Sequence, residues 1–165
     1  MSANPNWARW VFASVATYLK EVALEAELTA IVEGLDERTT EFMEATDRGE
    51  IRITGPFTRE ASHNYFYVEV VVNVLFVSRY EESKNQYAII QKMGVFQEAM
   101  DGPIAVYQYG NEPGDDEHAL VGCLKPVQGR NDTIRVLHFG QVDPTDRLKQ
   151  SMVDARYRME LFTNQ

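Results

Sequence analysis

The sequence is poor in the residues that would cross-link it or anchor it. Among its 165 residues there is one cysteine, Cys123, so no disulfide can form within the chain, which suits a reducing cytoplasm. Cys123 lies in the apolar run 120–124, where we expect a small buried hydrophobic residue rather than a nucleophile. No segment approaches the roughly 18 uncharged apolar residues of a membrane helix. No basic segment precedes an apolar block near the first residue, so no export signal is expected.

Basic residues are also scarce. The chain has 16 Lys and Arg against 25 Asp and Glu, a net charge of -9, and its pI is about 4.8. Because nonspecific nucleic-acid binding depends on cations that neutralise phosphates, tight binding of DNA or RNA is not expected. An acidic surface instead repels a polyanion and lets it pass without sticking.

The motifs that usually carry catalysis or cofactor binding are missing. The sequence contains no phosphate-binding loop, dinucleotide fingerprint, HExxH or Cys-x-x-Cys. Its three histidines, His63, His118 and His138, are scattered, whereas metal ligands usually recur at tight local spacing. The segment 115–118 is interpreted as an exposed acidic turn, and Ser62 beside His63 has no nucleophile elbow around it. We therefore predict no catalytic, cofactor-binding or metal-binding residue and no enzymatic activity.

Hydrophobic periodicity predicts two helices and a long hairpin within one domain that covers residues 1–165. Apolar spacings of three and four predict helices over about 5–23 and 83–100. Between them the period changes to two, and the second hairpin strand, over 65–77, has one wholly apolar face and one mixed face. The first of these faces must be buried. Because this strand exceeds the usual length, we expect it to bend or to pair with something beyond the domain.

The remaining segments complete the predicted fold. Residues 24–49 stay ambiguous: 28–32 is a short strand or a continuing helix, Gly34 marks a break, and 33–48 is a mobile loop with a helical turn. After the second helix we predict strands over 104–109, 119–124, 134–139 and 151–161, the last of them half-buried and paired within a sheet. Since strands and helices do not alternate, the fold class is α+β: a mainly antiparallel sheet with a long β-hairpin and two main helices packed on one face.

A small set of residues is predicted to contact partners. Trp7 and Trp10 share the apolar stripe of the first helix, so they belong in the core or, as the second possibility, against a neighbouring subunit. Glu69 and Asn73 lie on the mixed face of the long strand, on an exposed or inter-subunit side of the sheet or lining a pocket. The candidate interface residues are Trp7, Trp10, Tyr65, Tyr67, Glu69 and Asn73.

In its order of elements the chain resembles the tail-terminator family of tailed-bacteriophage neck proteins, which overlaps with tail-completion and head-completion proteins of similar size. The resemblance is carried by Asn-Trp-Ala-Arg-Trp at 6–10, the hairpin over 51–77, the helix with Gly-Val-Phe-Gln-Glu-Ala-Met at 94–100, and the closing strands through 152–157. It implies a virion structural protein, made in the host cytoplasm, that forms a hexameric ring at the neck. Such a ring caps the tail tube and joins it to a head-side connector or stopper, without catalytic residues or a cofactor. Its long hairpin would pair across subunits or dock on the neighbouring ring.

The resemblance also implies a lumen through which DNA passes without tight binding. We expect this lumen to carry acidic residues from the loops over 112–117 or 36–47, and a basic lumen would contradict the assignment. The candidate lumen residues are Glu112, Asp115, Asp116 and Glu117.

Two other functions remain open. A soluble ligand-binding or enzyme domain would need a concave pocket, for which Glu69, Asn73, Arg135 and His138 are the first residues to consider. An assembly factor would instead bind partner strands by edge pairing. Native mass separates the ring subunit from both alternatives.

Overall fold

The structure is a computed structural model that describes residues 6–62, 65–79, 83–109, 119–127, 134–143 and 148–162. This part of the chain contains three helices and seven strands. In chain order they are α1 (Trp7–Glu25), β1 (Thr29–Val32), α2 (Thr40–Glu44), β2 (Asp47–Ser62), β3 (Tyr65–Arg79), α3 (Ser83–Met100), β4 (Ile104–Gln108), β5 (Ala119–Pro126), β6 (Ile134–Asp143) and β7 (Leu148–Phe162).

The strands form one sheet in the order β1-β2-β3-β7-β5-β4, and β6 also pairs with β7. β1 runs parallel to β2, and all the other pairs are antiparallel. β7 therefore lies in the middle of the sheet, with β3 along one side and β5 and β6 along the other. The helices α1 and α3 pack on one face of this sheet. The predicted α+β fold with a mainly antiparallel sheet is confirmed.

The core lies between that face and the two helices. The even-numbered residues of β3 from Val68 to Phe76 are buried there, as the apolar face of the predicted strand required. Phe76 meets Phe96 of α3 edge to face, with 5.3 Å between the ring centroids. On the opposite, outer face of the sheet, Val71 and Leu75 are only half-buried, which confirms the mixed burial predicted for that side.

The C-terminal end of α1 turns the chain directly into β1. The Leu28 N–H donates to the Ala23 carbonyl at 2.9 Å, and the Glu27 N–H donates to the Leu24 carbonyl at 3.1 Å. This bond pair is a Schellman motif, in which the residue after the cap adopts a left-handed conformation. Glu27 does so with φ 51. The ambiguous segment 28–32 is thus a strand rather than a continuing helix.

Replacing Glu27 with glycine should raise the free energy of unfolding by roughly 0.5–1 kcal/mol, because glycine adopts a positive φ without the steric cost of a Cβ. Urea unfolding measures the change. The matched control is Glu25→Gly in the last turn of the same helix, which should lower stability by about 1 kcal/mol. A destabilised Glu27→Gly variant would contradict the left-handed cap.

The segment between β1 and β2 is anchored to the fold. Gly34 has φ 83, which fits the predicted break. The predicted helical turn is α2, capped by the Thr39 hydroxyl, which accepts from the Phe42 N–H at 3.2 Å. The Phe42 ring is buried, and the Arg48 guanidinium lies 5.6 Å from its centroid. Phe42 therefore holds in place a segment that sequence analysis treated as a mobile loop.

The expectation that β3 pairs with something beyond the domain is wrong. All its residues from Tyr65 to Arg79 pair with β7, and β2 pairs along its other side. The reason is that β2 and β7 match its length, since they contain 16 and 15 residues against 15 in β3. A long strand needs no external partner when its neighbours in the same chain are equally long.

A β-bulge divides β2 without ending it. The register with β3 shifts between Thr54 and Phe57, around a cis Gly55–Pro56 peptide bond. Gly55 has φ 108, and a Cβ at this position would lie 2.9 Å from the Glu69 carbonyl oxygen. The position therefore requires glycine for both conformation and space.

Three further predictions concern Cys123, the start of the first helix and the acidic loop. Cys123, expected to be buried, is half-buried in β5. The predicted first helix is confirmed as α1, although position 5, its predicted start, lies outside the described residues. So does the loop over 112–117 that was predicted to line the lumen.

Candidate interaction surfaces

One end of the sheet is a three-stranded arm, formed by residues 57–62 of β2, 65–69 of β3 and 158–162 of β7. β1 pairs with β2 only from Arg48 to Ile51. Within the described part of the chain, the outer edge of β2 from residue 52 onwards therefore has no strand partner. Its unpaired N–H and carbonyl groups are a template for another strand.

On the outer face of the arm, three side chains from β3 and β7 form a cluster. Glu69 is 7% exposed and accepts hydrogen bonds from Arg158 Nε, at 3.0 Å, and from Arg158 Nη2. The Arg158 guanidinium also lies 4.9 Å from the centroid of the Tyr67 ring. The structure thus joins two predicted interface residues, Tyr67 and Glu69, through an arginine that sequence analysis did not single out.

Replacing Arg158 with methionine should lower the free energy of unfolding by about 2 kcal/mol, because the buried Glu69 carboxylate loses its counter-charge. The value is below that of a fully buried pair, since the Arg158 side chain is 40% exposed and water screens the interaction. Urea unfolding at pH 7 measures it, and Glu69→Gln in the Arg158→Met background should recover part of the loss. The control Arg156→Met, at an exposed position on the same strand, should change stability by less than about 0.5 kcal/mol.

The arm and the strand segments beside it expose an aromatic residue and several unpaired cations. Phe57 is 51% exposed and lies opposite Glu69 in the register. Arg59, Lys125 and Arg156 are exposed, and none of them has an ion-pair partner among the described residues. Within the arm itself the charged residues are Arg59 and Arg158 against Glu60, Glu69 and Glu160. Arg156 on β7 and Lys125 on β5 lie beside the arm on the outer face, where the register places four cations against Glu69 and Glu160. The outer face at this end of the sheet is therefore positive, although the arm as a whole is not.

At the other end of the sheet, a groove of about 540 Å³ lies between the C-terminal end of α1 and the edge strand β1. Leu24, on its wall, is 78% exposed and presents a large aliphatic side chain to solvent. The residues that give the groove its apolar character are Ala23, Leu24, Leu28, Ala30 and Ile31.

The cations near the groove are already paired, so its free charges are acidic. Lys20 pairs with Asp36 at 2.7 Å, and Lys92 binds the Glu27 carbonyl at 2.9 Å and Asp47 at 3.6 Å. Exposed carboxylates without an ion-pair partner in the described residues stand around it. They are Glu21, Glu25 and Glu27.

Two pKa shifts report on the electrostatics of this end. Burial acts to raise the pKa of Asp36, but hydrogen bonds from Lys20 and from the Val32 N–H, at 2.8 Å, outweigh it and lower the pKa. Asp36 therefore stays ionised. Its carboxylate occupies the Val32 N–H, so this group at the edge of β1 is not available to another strand. Burial first, and then the charges of Glu25 and Glu21, raise the pKa of Tyr18, as expected in a negative field.

The remaining predicted residues are not brought together with these surfaces. Trp10 is 8% exposed, and its indole N–H donates to the Tyr109 carbonyl at 3.2 Å, so its predicted place in the core is confirmed and little of its ring is left for a partner. Trp7 is partly buried against the same core. Asn73 lies in the middle of the outer face, in register with Arg52 and Asp154.

Several predicted residues lie at the ends of the described strands or outside the described residues. Tyr65 pairs with Phe162 at the tip of the arm. Arg135 pairs with Asp154, in the row of Asn73, whereas His138 pairs with Ser151, three residues further along β7. The candidate lumen residues lie outside the described residues. They are Glu112, Asp115, Asp116 and Glu117.

Two kinds of site can be checked across the residues that the structure describes. There, no three His, Cys, Asp or Glu side chains gather closely enough to hold a metal ion. None of the described helices combines the length and apolarity needed to cross a membrane.

Comparison with known proteins adds no family. No protein-family model matches the chain, and no curated protein is significantly similar to it. The resemblance to phage neck proteins therefore remains a prediction that rests on the order of elements.

Proposed function

We propose that this chain is a structural subunit of a tailed-phage virion, which assembles with copies of itself into a ring at the neck. The ring caps the tail tube and joins it to the head-side connector or stopper, and DNA passes through its lumen. The observation that carries the proposal is a pair of unlike exposed surfaces, the arm and the groove, at opposite ends of one sheet. Contacts between unlike surfaces propagate head to tail and close into rings when the rotation permits.

The charge distribution supports the passage of DNA. The segment between β1 and β2 exposes Glu37, Glu41 and Glu44, within the 36–47 region predicted to line the lumen. Carboxylates on that wall would repel the phosphate backbone and keep it from sticking. The number of subunits, six, and the place in the virion come from the resemblance in the order of elements.

Native mass and imaging test this proposal together. Light scattering of the purified protein should give a mass several times that of the 18.9 kDa subunit, and electron microscopy should show rings or density at the neck of particles. A protein that stays monomeric at every concentration and is absent from the particles would overturn the proposal. A ring with a basic lumen would also contradict the assignment.

A second candidate, a soluble ligand-binding domain or assembly factor, is favoured by the groove itself. Its volume of about 540 Å³ lies within the range of small-molecule sites. The open edge of β2 could likewise accept a strand from a different protein. A monomer whose melting temperature rises with a small ligand, or that captures an extended peptide along β2, would support this candidate over the ring.

A further inference from the structure

We infer that the arm of one copy of this chain docks in the groove of the next copy, with Phe57 seated against Leu24. The inference deepens the proposed ring and rests on it, because it names the two surfaces that the ring would join. Three independent features of the arm and the groove match each other.

The first match is apolar. Phe57 presents half its surface to solvent from an extended strand, just after the bulge that requires a glycine at position 55. The groove offers Leu24 as an exposed wall and Leu28 as a buried floor. An aromatic side chain that enters an apolar recess is the usual hot spot of an interface, since it desolvates a large area at a small entropic cost.

The second match is electrostatic. Arg59 lies two residues from Phe57 on β2, and Arg156 and Lys125 lie two and three strands away on the same outer face. All three are exposed and unpaired among the described residues. The carboxylates around the groove, Glu25 and Glu27 among them, are equally exposed and unpaired. Opposite potentials on two surfaces steer encounter and fix the orientation, and like charges keep arm from docking on arm and groove from docking on groove.

The third match is between two strand edges. In the described chain β1 is an edge strand, and β2 is unpaired on its outer side from residue 52 onwards. Asp36 holds the Val32 N–H at 2.8 Å, so the open part of the β1 edge is 29–31. A short extended segment can add to such an edge through backbone hydrogen bonds, next to the pocket that receives its side chain.

The occupant has to come from another copy. Phe57 lies six residues beyond Ile51, the last β2 residue paired with β1, and at about 3.3 Å per residue this is roughly 20 Å along one strand. Because both positions belong to the same continuous sheet, an arm cannot fold back into its own groove. The contact is therefore between unlike surfaces of two copies.

Two variants, each blocked at one surface, test the inference. Phe57→Glu brings a carboxylate to the acidic groove, and Leu24→Arg, at a helix position that is 78% exposed, brings a cation to the positive outer face of the arm. Each variant alone should associate roughly 30-fold more weakly than the unaltered chain. Mixed in equal amounts, they retain one intact arm and one intact groove, so light scattering should show complexes in the mixture that neither variant forms alone.

Exposed apolar residues elsewhere provide matched controls. Leu120→Glu on β5 corresponds to the change at Phe57, and Tyr87→Arg on α3 corresponds to the change at Leu24, because the original side chains are 66% and 77% exposed. Both controls should assemble like the unaltered chain. Circular dichroism and urea unfolding of all four variants confirm that each is folded.

Thiol cross-linking extends the test to weak complexes. In a Cys123→Ser background, a Thr58→Cys chain mixed with a Thr29→Cys chain and a short bifunctional thiol reagent should give the mixed dimer, because both positions are exposed and the Phe57 and Leu24 side chains remain. Homodimers of the Thr58→Cys chain alone would overturn the inference in favour of like-with-like pairing, and the absence of any cross-link would overturn it outright.

The same experiments separate the two proposals. If the unaltered chain forms rings but the blocked variants form them equally well, the arm and groove are the wrong surfaces and the ring stands. If the mixed dimer forms but the unaltered chain builds only open chains, the arm-to-groove contact stands and the ring at the neck falls.

Discussion

Replacing Phe96 with alanine is expected to lower the free energy of unfolding by about 4 kcal/mol, because a fully buried aromatic ring is removed and the cavity it leaves cannot collapse completely. Phe96 lies at the centre of the contact between α3 and the sheet, with no exposed surface and its ring edge to face with Phe76. Losing that ring pair adds roughly 0.5–1.5 kcal/mol to the cost of lost burial.

Urea unfolding followed by circular dichroism measures this effect. The control is Tyr87→Ala on the same helix, where the side chain is largely exposed and the loss should stay within about 0.5 kcal/mol. Phe96→Leu should recover much of the stability by filling most of the cavity. A loss below about 1 kcal/mol for Phe96→Ala would mean that α3 does not pack on the helical face of the sheet.

Replacing Gly55 with alanine should cost about 3 kcal/mol, from a strained positive φ together with a close contact to the backbone. The Cβ would lie 2.9 Å from the Glu69 carbonyl oxygen, which belongs to the backbone of β3 between two paired strands and cannot move away as a flexible side chain could. The measurement is the urea midpoint at a constant m-value.

Gly34 is the matched control for this prediction. It also has a positive φ, 83, but nothing lies within 4 Å of its would-be Cβ. Gly34→Ala should therefore cost only the conformational part, about 1 kcal/mol. If Gly55→Ala and Gly34→Ala lower the free energy of unfolding equally, backbone strain alone accounts for both losses. The bulge would then be able to move away from β3 and relieve the close contact.

The sequence predicted the main helices and strands correctly, but it did not predict which strands lie next to each other in the sheet. The alternation over 65–77 predicted the buried face of β3 correctly, because a period of two with one apolar side has a single physical solution. It did not reveal that β7, equally long, fills the far side of β3. Strand pairing depends on register and length between segments far apart in sequence, and no local pattern encodes it.

The same limit explains which surface residues were found. Tyr67 and Glu69 were identified because a polar and an aromatic residue stood out on one face of an apolar strand. Arg158, 89 residues away from Glu69, gave no such signal, since its partner is fixed only by the β3–β7 register. The groove was missed because it depends on a left-handed Glu27, where a glycine would have marked the end of the helix.

Because β7 comes late in the chain, β3 lacks one of its two strand partners during part of synthesis. About 70 residues separate the end of β3 from the start of β7, and translation at roughly 5–20 residues per second needs several seconds to cover them. Until β7 has been made, the edge of β3 that pairs with it has unpaired backbone N–H and carbonyl groups along its whole length. Pairing of this edge with another nascent chain therefore competes with native folding during these seconds, before β7 is there to cover it.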